Sequence, residues 1–308
     1  MKTALILFGN LRTFLMPTRE NPSKRLCDLL MENIIIPNDA DVFAFTDTND
    51  FFFNGVQYYS TDKKIEVLNN DSCRLHSKID FISNERARGI ITDQLKLIIG
   101  SHLKSFHIED IFDARLDPKF SLLNNANVGG SSPFLLIHQF RKLKLAYELV
   151  KKYEQENNLV YDIIIKWRFD LNVSGQLNIS AFDFDANDVF VAGIYPPIVY
   201  DWHAFGNRKG MEYCLNIYDI LGSFLNEGKV HLQDQSRTEI TLSPEYHLFR
   251  SLKDSSIRYT SSGYPGAPYR YQGTSTSNID PIIRALGIDA TVVTFTPTNK
   301  VYEQEYKK

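Results

Sequence analysis

Short apolar runs, separated by polar segments rich in turn-forming residues, recur along the chain. Runs of about four to eight apolar residues are typical of buried strands. We therefore predict strands at residues 4–8, 41–46, 189–194 and 291–295, and another within the stretch 161–171.

Between these runs, apolar residues recur with the period of a helix, which predicts helices at residues 22–33, 91–106, 133–153 and 208–225. The third has Ser132 at its N-cap and Pro133 at its first helical position, two residue types that favour a helix start. Strands that alternate with helices predict an α/β fold built on one central sheet.

Composition limits the classes of function. The 308 residues are 43% hydrophobic, which is ample for a large core, and the formal net charge is only -3. Without a general basic field, nucleic acid is not expected as the main partner. Three cysteines in no metal or disulfide spacing indicate reduced thiols and a cytoplasmic protein, and no apolar run is long enough for a transmembrane segment.

The stretch 161–171 offers the first candidate site residue. Its apolar run ends at Arg168, Phe169 and Asp170, so we expect Asp170 at the carboxyl edge of the sheet, where open α/β sheets bind ligands. A carboxylate there can hold Mn2+ or Mg2+ against a diphosphate leaving group. Alternatively, the site binds metal weakly and Arg168 neutralises the phosphates, or Asp170 is only a turn residue beside a solvated arginine.

A second acidic triplet, Asp183-Phe184-Asp185, matches the pattern Asp-X-Asp literally. It lies in a polar stretch that enters the predicted strand at 189–194. Because carboxylates that enter a strand lie at its amino end, we predict that these are turn residues.

The turn after the first predicted strand is a candidate for nucleotide binding. A glycine and an arginine directly after a strand allow backbone N–H groups and a guanidinium to meet a base or phosphates. An ordinary tight turn is the alternative. The candidates in this turn are Phe8, Gly9, Asn10 and Arg12.

Two further pairs of residues are candidates for the same ligand. Thr46 and Asp47 end the second predicted strand and could bind a ribose or the edge of a base, unless they only form a turn. Gln139 and Lys142 are three residues apart on the helix 133–153 and therefore share a face, which either meets the donor or is solvated.

The segment 201–207 offers groups suited to a sugar. Asp201, Trp202 and His203 supply a carboxylate, a stacking ring and an imidazole, and Phe205 and Gly206 follow them as further candidates for substrate binding. The alternative is a packed tryptophan whose neighbours cap a turn.

A helix start is predicted at residues 243–249, with Ser243 as its cap and Pro244 at its first position. The helix dipole favours Glu245 there in any case. If this end faces the cleft, Glu245 can accept the proton of an incoming hydroxyl group, and His247 can bind a metal or a phosphate.

Several of these motifs occur together and in order. In this respect the chain resembles GT-A type glycosyltransferases, which are found in large algal viruses (chloroviruses) and in bacterial surface-polysaccharide gene sets. The resemblance extends from about residue 4 to residue 252. The segments that carry it are 7–14, 39–43, 161–171, 201–206 and 244–246.

The resemblance implies a GT-A-like, Rossmann-like mixed sheet flanked by helices in one large domain, residues 1–308. Residues 1–170 would be the nucleotide-sugar-binding half and residues 171–308 the acceptor-binding half. The implied reaction moves a sugar from a nucleotide donor, most often a UDP-sugar such as UDP-xylose, UDP-glucose or UDP-galactose, to a glycan acceptor, usually with Mn2+ or Mg2+. A viral enzyme would act in the cytoplasm of the host cell.

By the same resemblance, Gly9, Arg12, Thr46 and Asp47 fall at the nucleotide and Asp170 at the metal. Arg168 stands where the family's first Asp is usual, which puts metal dependence in question. The resemblance also implies a base that activates the acceptor and makes the enzyme inverting. The candidates for it are Glu245 first, then Asp201 and Asp234.

Two other functions remain open on the sequence. One is a nucleotidyltransferase, although the chain has no Walker loop ending in Gly-Lys-Ser/Thr. The other is a catalytically inactive module that binds a nucleotide-sugar or a carbohydrate.

Overall fold

The computed structural model describes residues 1–9, 11, 14, 23–47, 56–60, 66–67, 84–109, 133–196, 198–219, 248, 251–253, 255–264, 290–294 and 302–303. Its main strands are β1 (Thr3–Phe8), β2 (Asp41–Asp47), β5 (Leu103–Glu109), β6 (Ile163–Arg168), β7 (Val189–Val191), β10 (His203–Asn207) and β11 (Tyr259–Ser261). Its α-helices are α1 (Leu26–Leu30), α2 (Asn84–Ile99), α3 (Pro133–Asn157) and α4 (Arg208–Leu215).

Six short strands make three two-stranded sheets. They are β3 (Val56–Ser60) with β12 (Ala290–Thr294), β4 (Glu66–Val67) with β13 (Tyr302–Glu303), and β8 (Ile194–Tyr195) with β9 (Ile198–Val199). A π-helical turn (Met31–Ile35) and a 3-10 turn (Ile36–Asn38) continue α1, and two more 3-10 turns are Gly100–His102 and Ile179–Ala181.

One seven-stranded sheet organises the described part of the chain, in the order β11-β7-β10-β6-β1-β2-β5. The neighbours from β6 to β5 are all parallel, whereas β10 runs antiparallel to both β6 and β7. β11 is parallel to β7. This arrangement confirms the predicted fold class, a mixed central α/β sheet flanked by helices.

Helices cover both faces of this sheet, because alternate residues of each strand point to opposite sides. On β1, Ile6 and Phe8 pack in a core that includes α3 and α4, whereas Leu5 and Leu7 pack in a core that includes α1 and α2. The result is a three-layer sandwich with a buried sheet.

Helix α3 forms because its apolar residues recur every three or four positions and face the sheet. Ile137, Phe140, Leu143, Tyr147 and Val150 are all essentially inaccessible to solvent. Burying a side chain of this size stabilises the fold by roughly 1.5–3 kcal/mol. The helix is thereby fixed against β1, β2 and β5, where it can position polar side chains at the end of the sheet.

The strands predicted at 4–8 and 41–46 are confirmed, as is the strand ending before Asp170. The run predicted at 189–194 is divided between β7 and β8. Of the helix predicted at 208–225, α4 and a further helical segment at 217–219 are observed, and residues 220–225 lie outside the described residues.

The prediction of one helix over 91–106 is wrong. The helix ends at Ile99, Gly100 follows with φ of +59°, and residues 103–109 form β5 beside β2. A left-handed backbone is typical of a glycine that terminates a helix. Leu103 and Phe106 continued the apolar spacing in the sequence, but they belong to the sheet.

The strand ends form two chemically different sides of the sheet. We call them the carboxyl edge, where the parallel strands β1, β2, β5 and β6 end, and the amino edge, where these strands begin. Gly9, Asp47, Glu109 and Asp170 lie at or just beyond the carboxyl ends of the four parallel strands β1, β2, β5 and β6. Because β10 runs the other way, its first residue, His203, pairs with Trp167 at this same edge. Parallel α/β sheets bind ligands at this edge, so the candidate site lies here.

Candidate functional site

Arg168 and Asp170 form a bidentate ion pair at the carboxyl end of β6. Arg168 Nε donates to Asp170 Oδ1 at 2.8 Å, and Nη2 donates to Oδ2 at 2.7 Å. Their side chains are 20% and 11% exposed. Two parallel charge-assisted hydrogen bonds fix the guanidinium in one orientation. Arg168 is therefore not the solvated arginine of the third interpretation, and Asp170 is at the predicted edge.

The turn between them is itself anchored. Phe169 lies between the two charged residues, is 1% exposed, and packs edge-on against Phe14 with ring centroids 5.0 Å apart. Its backbone N–H donates to the carbonyl of Phe8 at 3.3 Å. The Arg168–Asp170 pair is therefore held by core packing as well as by its own bonds.

The ends of β1 and β2 meet beside this turn. Thr46 Oγ1 donates to the carbonyl of Gly9 at 2.9 Å, and Gly9 has φ of +95°, a conformation that favours glycine. Phe8 pairs with Arg168 across the strands. Phe8 and Gly9, at the end of the neighbouring strand, are thus brought next to Arg168, and Thr46 is bonded to Gly9 from β2, two strands away.

Asp47, at the end of β2, is almost completely buried and bound by two residues of α3. Its Oδ2 lies 2.5 Å from Lys142 Nζ and 3.0 Å from His138 Nε2. Burial acts to raise the pKa of Asp47, but the charge of Lys142 and the hydrogen bond from His138 outweigh it, so the pKa lies below its ordinary range. Lys142 is 1% exposed, so it does not lie on a solvated helix face.

Gln139 joins α3 to the segment before β10. Its Nε2 donates to Asp201 Oδ2 at 2.5 Å, and Asp201 is 2% exposed. Lys166 of β6 is buried as well and donates to the backbone carbonyl of Asp201 at 2.6 Å. Gln139 and Lys142 therefore attach α3 to two different strand ends of the site.

His203 is buried within a cluster of rings. It stacks on Trp167 at 4.9 Å and meets Tyr264 edge-on at 5.7 Å. Burial, with a contribution from the charge of Lys166, lowers the pKa of His203 to about 3, so its ring is neutral at pH 7. Its Nδ1 has no hydrogen-bond partner among the described residues.

Trp202 is only partly buried and stacks on Tyr200, with ring centroids 4.3 Å apart and planes at 8°. Tyr195, which is 63% exposed, lies against Tyr200 at 5.4 Å. These three rings form a ladder from the strand pair β8–β9 to the start of β10. Aromatic faces of this kind suit the apolar faces of sugar rings.

Phe205 and Gly206 lie inside the sheet, away from the carboxyl edge. Phe205 is fully buried and stacks on Phe190. A Cβ on Gly206 would lie 2.2 Å from the backbone oxygen of Asp188, so only glycine fits. The sequence did not indicate that 203–207 is a strand, and for these two residues the structure supplies a packing role instead of contact with the edge.

The remaining candidates lie outside the described residues. They are Asn10, Arg12, Asp234, Glu245 and His247. Their proposed roles stay predictions.

The triplet Asp183-Phe184-Asp185 is confirmed as a turn. Asp183 Oδ1 accepts hydrogen bonds from the backbone N–H groups of Asp185 and Ala186, at 3.0 and 2.9 Å. The turn precedes β7 and so lies at the amino edge. A literal Asp-X-Asp pattern is thus explained by local backbone capping.

Sequence reasoning missed three polar residues of the carboxyl edge: His138, Arg141 and Lys166. Arg141 donates to both carboxylate oxygens of Glu109, at 2.8 and 2.7 Å. A signal was available, because Lys166 interrupts an apolar strand and His138 and Arg141 flank the candidate Gln139. A polar residue inside a buried strand requires a partner.

The described residues do not fit a divalent cation. Both oxygens of the only acidic residue in the motif, Asp170, are already bonded to Arg168, whose charge repels a second cation. Among the described residues, no group of three or more His, Cys, Asp or Glu side chains could hold a metal ion.

None of the helices in the described ranges is both long enough and apolar enough to span a bilayer.

Comparisons with known proteins give little beyond this geometry. No family model matches the chain, and no match was found among curated proteins. Among solved structures, the chain is similar to the inositol-1-phosphate CTP transferase from T. maritima, with a TM-score of 0.38 and 11% sequence identity over 93% of this chain and 96% of that chain. At this TM-score the likeness carries no argument about function.

Proposed function

We propose that the protein is a glycosyltransferase that moves a sugar from a nucleotide donor, with UDP-sugars as the first candidates, to a hydroxyl group of a glycan. The observation that carries the proposal is the Arg168–Asp170 pair at the carboxyl end of β6, one strand away from Gly9. A rigid charged pair beside a glycine turn at this edge suits a nucleoside diphosphate.

The donor would lie across the ends of β1, β2 and β6. Backbone groups at Gly9 would meet the nucleoside, Thr46 would hold that turn through its bond to the Gly9 carbonyl, and Arg168 would meet the diphosphate. The Asp47–Lys142 pair supports this arrangement indirectly, because it is buried and fixes α3 to the end of β2. We assign Lys142 and Gln139 a positioning role for the site.

The acceptor would approach from the side of β10. The ring ladder of Tyr195, Tyr200 and Trp202 supports this assignment, because it begins at an exposed tyrosine and ends next to Asp201. Asp201 is buried and bonded to Gln139, which favours a positioning role over proton transfer. Glu245 remains our candidate for the base, with Asp234 as the alternative.

The chemical step is a displacement at the anomeric carbon. The acceptor oxygen forms a bond to that carbon, the bond to the diphosphate oxygen breaks, and the hydroxyl proton passes to the base. The sugar carries positive charge in the transition state, and negative charge develops on the departing diphosphate. Arg168 is a source of positive charge beside that oxygen. Attack from the face opposite the leaving group inverts the configuration.

A donor screen tests the proposal. Purified protein is incubated with individual UDP-sugars, with EDTA or with Mn2+, and released UDP is measured. Slow release of UDP from one donor supports the transferase. Release of pyrophosphate from a nucleoside triphosphate and a sugar phosphate would instead identify a nucleotidyltransferase. A thermal shift with a nucleotide-sugar but without either product would identify an inactive binding module.

A further inference from the structure

We infer that the positive charge at the leaving diphosphate is supplied by Arg168, held in place by Asp170, and that Asp170 is not a metal ligand. This inference rests on the proposed function and specifies the chemistry of the same site. It predicts a donor site that functions without a divalent cation.

Both carboxylate oxygens of Asp170 already accept hydrogen bonds. A metal-binding aspartate offers at least one oxygen to the ion, but here Oδ1 and Oδ2 accept from Nε and Nη2 of one guanidinium at 2.8 and 2.7 Å. A cation at Asp170 would have to displace the guanidinium or share these oxygens with it, and in either case it would lie beside the positive charge of Arg168.

An approaching anion meets Arg168 before Asp170. The Arg168 side chain is 20% exposed and the Asp170 side chain 11%, so Arg168 is the more accessible member of the pair. Phe8 pairs with Arg168, and the glycine turn at Gly9 follows directly. A diphosphate bound at that turn therefore meets the guanidinium before the carboxylate.

The Arg168–Asp170 pair is preorganised. Phe169 is buried against Phe14 and bonded through its N–H to the Phe8 carbonyl, so the turn that carries the pair cannot shift freely. A guanidinium that is already oriented needs little reorganisation when charge develops on a leaving group. Asp170 is thus a positioning residue, and Arg168 is the group that touches substrate.

A metal-binding measurement tests the inference without any nucleotide. Free Mn2+ is measured by electron paramagnetic resonance in a titration of the wild-type protein and of Arg168→Asp, which places a second carboxylate in the motif. We expect no stoichiometric binding by the wild type and a gain of Mn2+ binding in R168D. Stoichiometric Mn2+ binding by the wild type that Asp170→Asn removes would overturn the inference.

An anion-binding measurement tests the role of Arg168. Inorganic pyrophosphate is titrated by calorimetry in EDTA, with the wild type, Arg168→Gln, Arg168→Lys and Asp170→Asn. We expect a loss of affinity of about tenfold or more for R168Q, since a hydrogen bond to a charged group contributes about 1.5–3 kcal/mol and 1.4 kcal/mol is a factor of ten. R168K and D170N should show smaller losses.

The matched control for this titration is Arg258→Gln. Arg258 also pairs with a buried aspartate, Asp188, but lies at the amino edge. The affinity of R258Q for pyrophosphate should therefore equal that of the wild type. Equal affinity of R168Q and wild type would overturn the inference. So would pyrophosphate binding that appears only after Mn2+ is added. If R168Q fails to fold, the Mn2+ titration of the wild-type protein still decides the inference.

The donor screen separates this inference from the proposed function. Pyrophosphate binding through Arg168 without binding or cleavage of any nucleotide-sugar would retain the anion site and reject the glycosyltransferase. Cleavage of a UDP-sugar that stops in EDTA and resumes with Mn2+ would retain the glycosyltransferase and reject the inference.

Discussion

The two edges of the central sheet each contain a buried aspartate with basic partners, yet they differ in purpose. At the carboxyl edge, Asp47 binds Lys142 and His138 of α3. At the amino edge, Asp188 accepts from Arg258 Nη2 at 3.1 Å and from Asn207 Nδ2 at 3.0 Å. Bonds from Arg258 hold the pKa of Asp188 below its ordinary range, as Lys142 and His138 do for Asp47.

The difference lies in what surrounds each carboxylate. The backbone of Asp188 is covered by two close glycines, because a Cβ on Gly206 or Gly210 would lie 2.2 or 2.6 Å from its carbonyl oxygen. The amino edge is therefore closed by packing. The carboxyl edge instead collects polar side chains from α3, β6 and the start of β10. The partners of Asp188 also come from separate elements, so what distinguishes the carboxyl edge is its position at the ends of the parallel strands, where α/β sheets bind ligands.

The largest effect on stability is expected from Lys142→Met. It leaves Asp47 buried beside His138 without its ammonium partner, and breaking a buried pair costs about 3–5 kcal/mol. Urea unfolding followed by circular dichroism measures this loss. The matched control at the amino edge is Lys209→Met, because Lys209 is 60% exposed and 3.4 Å from Asp188, so we expect a change below about 0.5 kcal/mol. Equal losses at both edges would contradict the comparison.

The triplets Arg168-Phe169-Asp170 and Asp183-Phe184-Asp185 should differ in their importance for activity. Asp170→Asn should lower release of UDP from the donor that the wild type uses by about 100- to 1000-fold, because Arg168 loses the charge that orients it. Asp185→Asn changes the exposed literal Asp-X-Asp triplet at the amino edge and should leave the rate within about twofold. Normal turnover by D170N, with an unchanged melting temperature, would show that the site assignment is wrong.

Much of the sheet could be predicted because its strands are short apolar runs, and Asp170 could be placed at an edge because a strand's end fixes its position. β10 was missed for a physical reason. The strand contains His203, Gly206 and Asn207, which are not typical strand residues. His203 fits because it stacks on Trp167, and Gly206 fits because it leaves room for the backbone of Asp188.

The partners within the site could not be predicted from local pattern. His138 and Asp47 are 91 residues apart, and Gln139 and Asp201 are 62 residues apart. Spacing on a helix predicts only which side chains share a face, not which strand end that face meets.

Packing at the amino edge gives a third prediction. Gly206→Ala should cost up to about 3 kcal/mol, because the new methyl group meets the backbone of Asp188, which cannot move as a side chain can. Gly89→Ala is the control, since nothing lies within 4 Å of a Cβ there, in α2. This substitution should stabilise the protein by about 0.5–1 kcal/mol. A G206A protein as stable as wild type would show that the amino edge is not closed by packing.

The smallest predicted effect is a pH dependence that comes from the carboxyl edge. The unfolded-state pKa of a histidine is about 6.5, and that of His203 in the fold is about 3. Between these values the unfolded state binds the extra proton, so stability is complete above about pH 6.5 and falls as the pH decreases. From pH 6.5 to pH 5 the loss is about 1.6 kcal/mol, because half of the unfolded-state histidines are already protonated at pH 6.5. Urea unfolding at both pH values should show this loss in the wild type and in the control His107→Gln, whose histidine is exposed, but not in His203→Gln.

The amino-edge carboxylate Asp188 has a lowered pKa and contributes its own loss only as the pH falls below about 4, the ordinary value for an aspartate. A decrease of the same size in H203Q would therefore place the acid sensitivity elsewhere in the molecule.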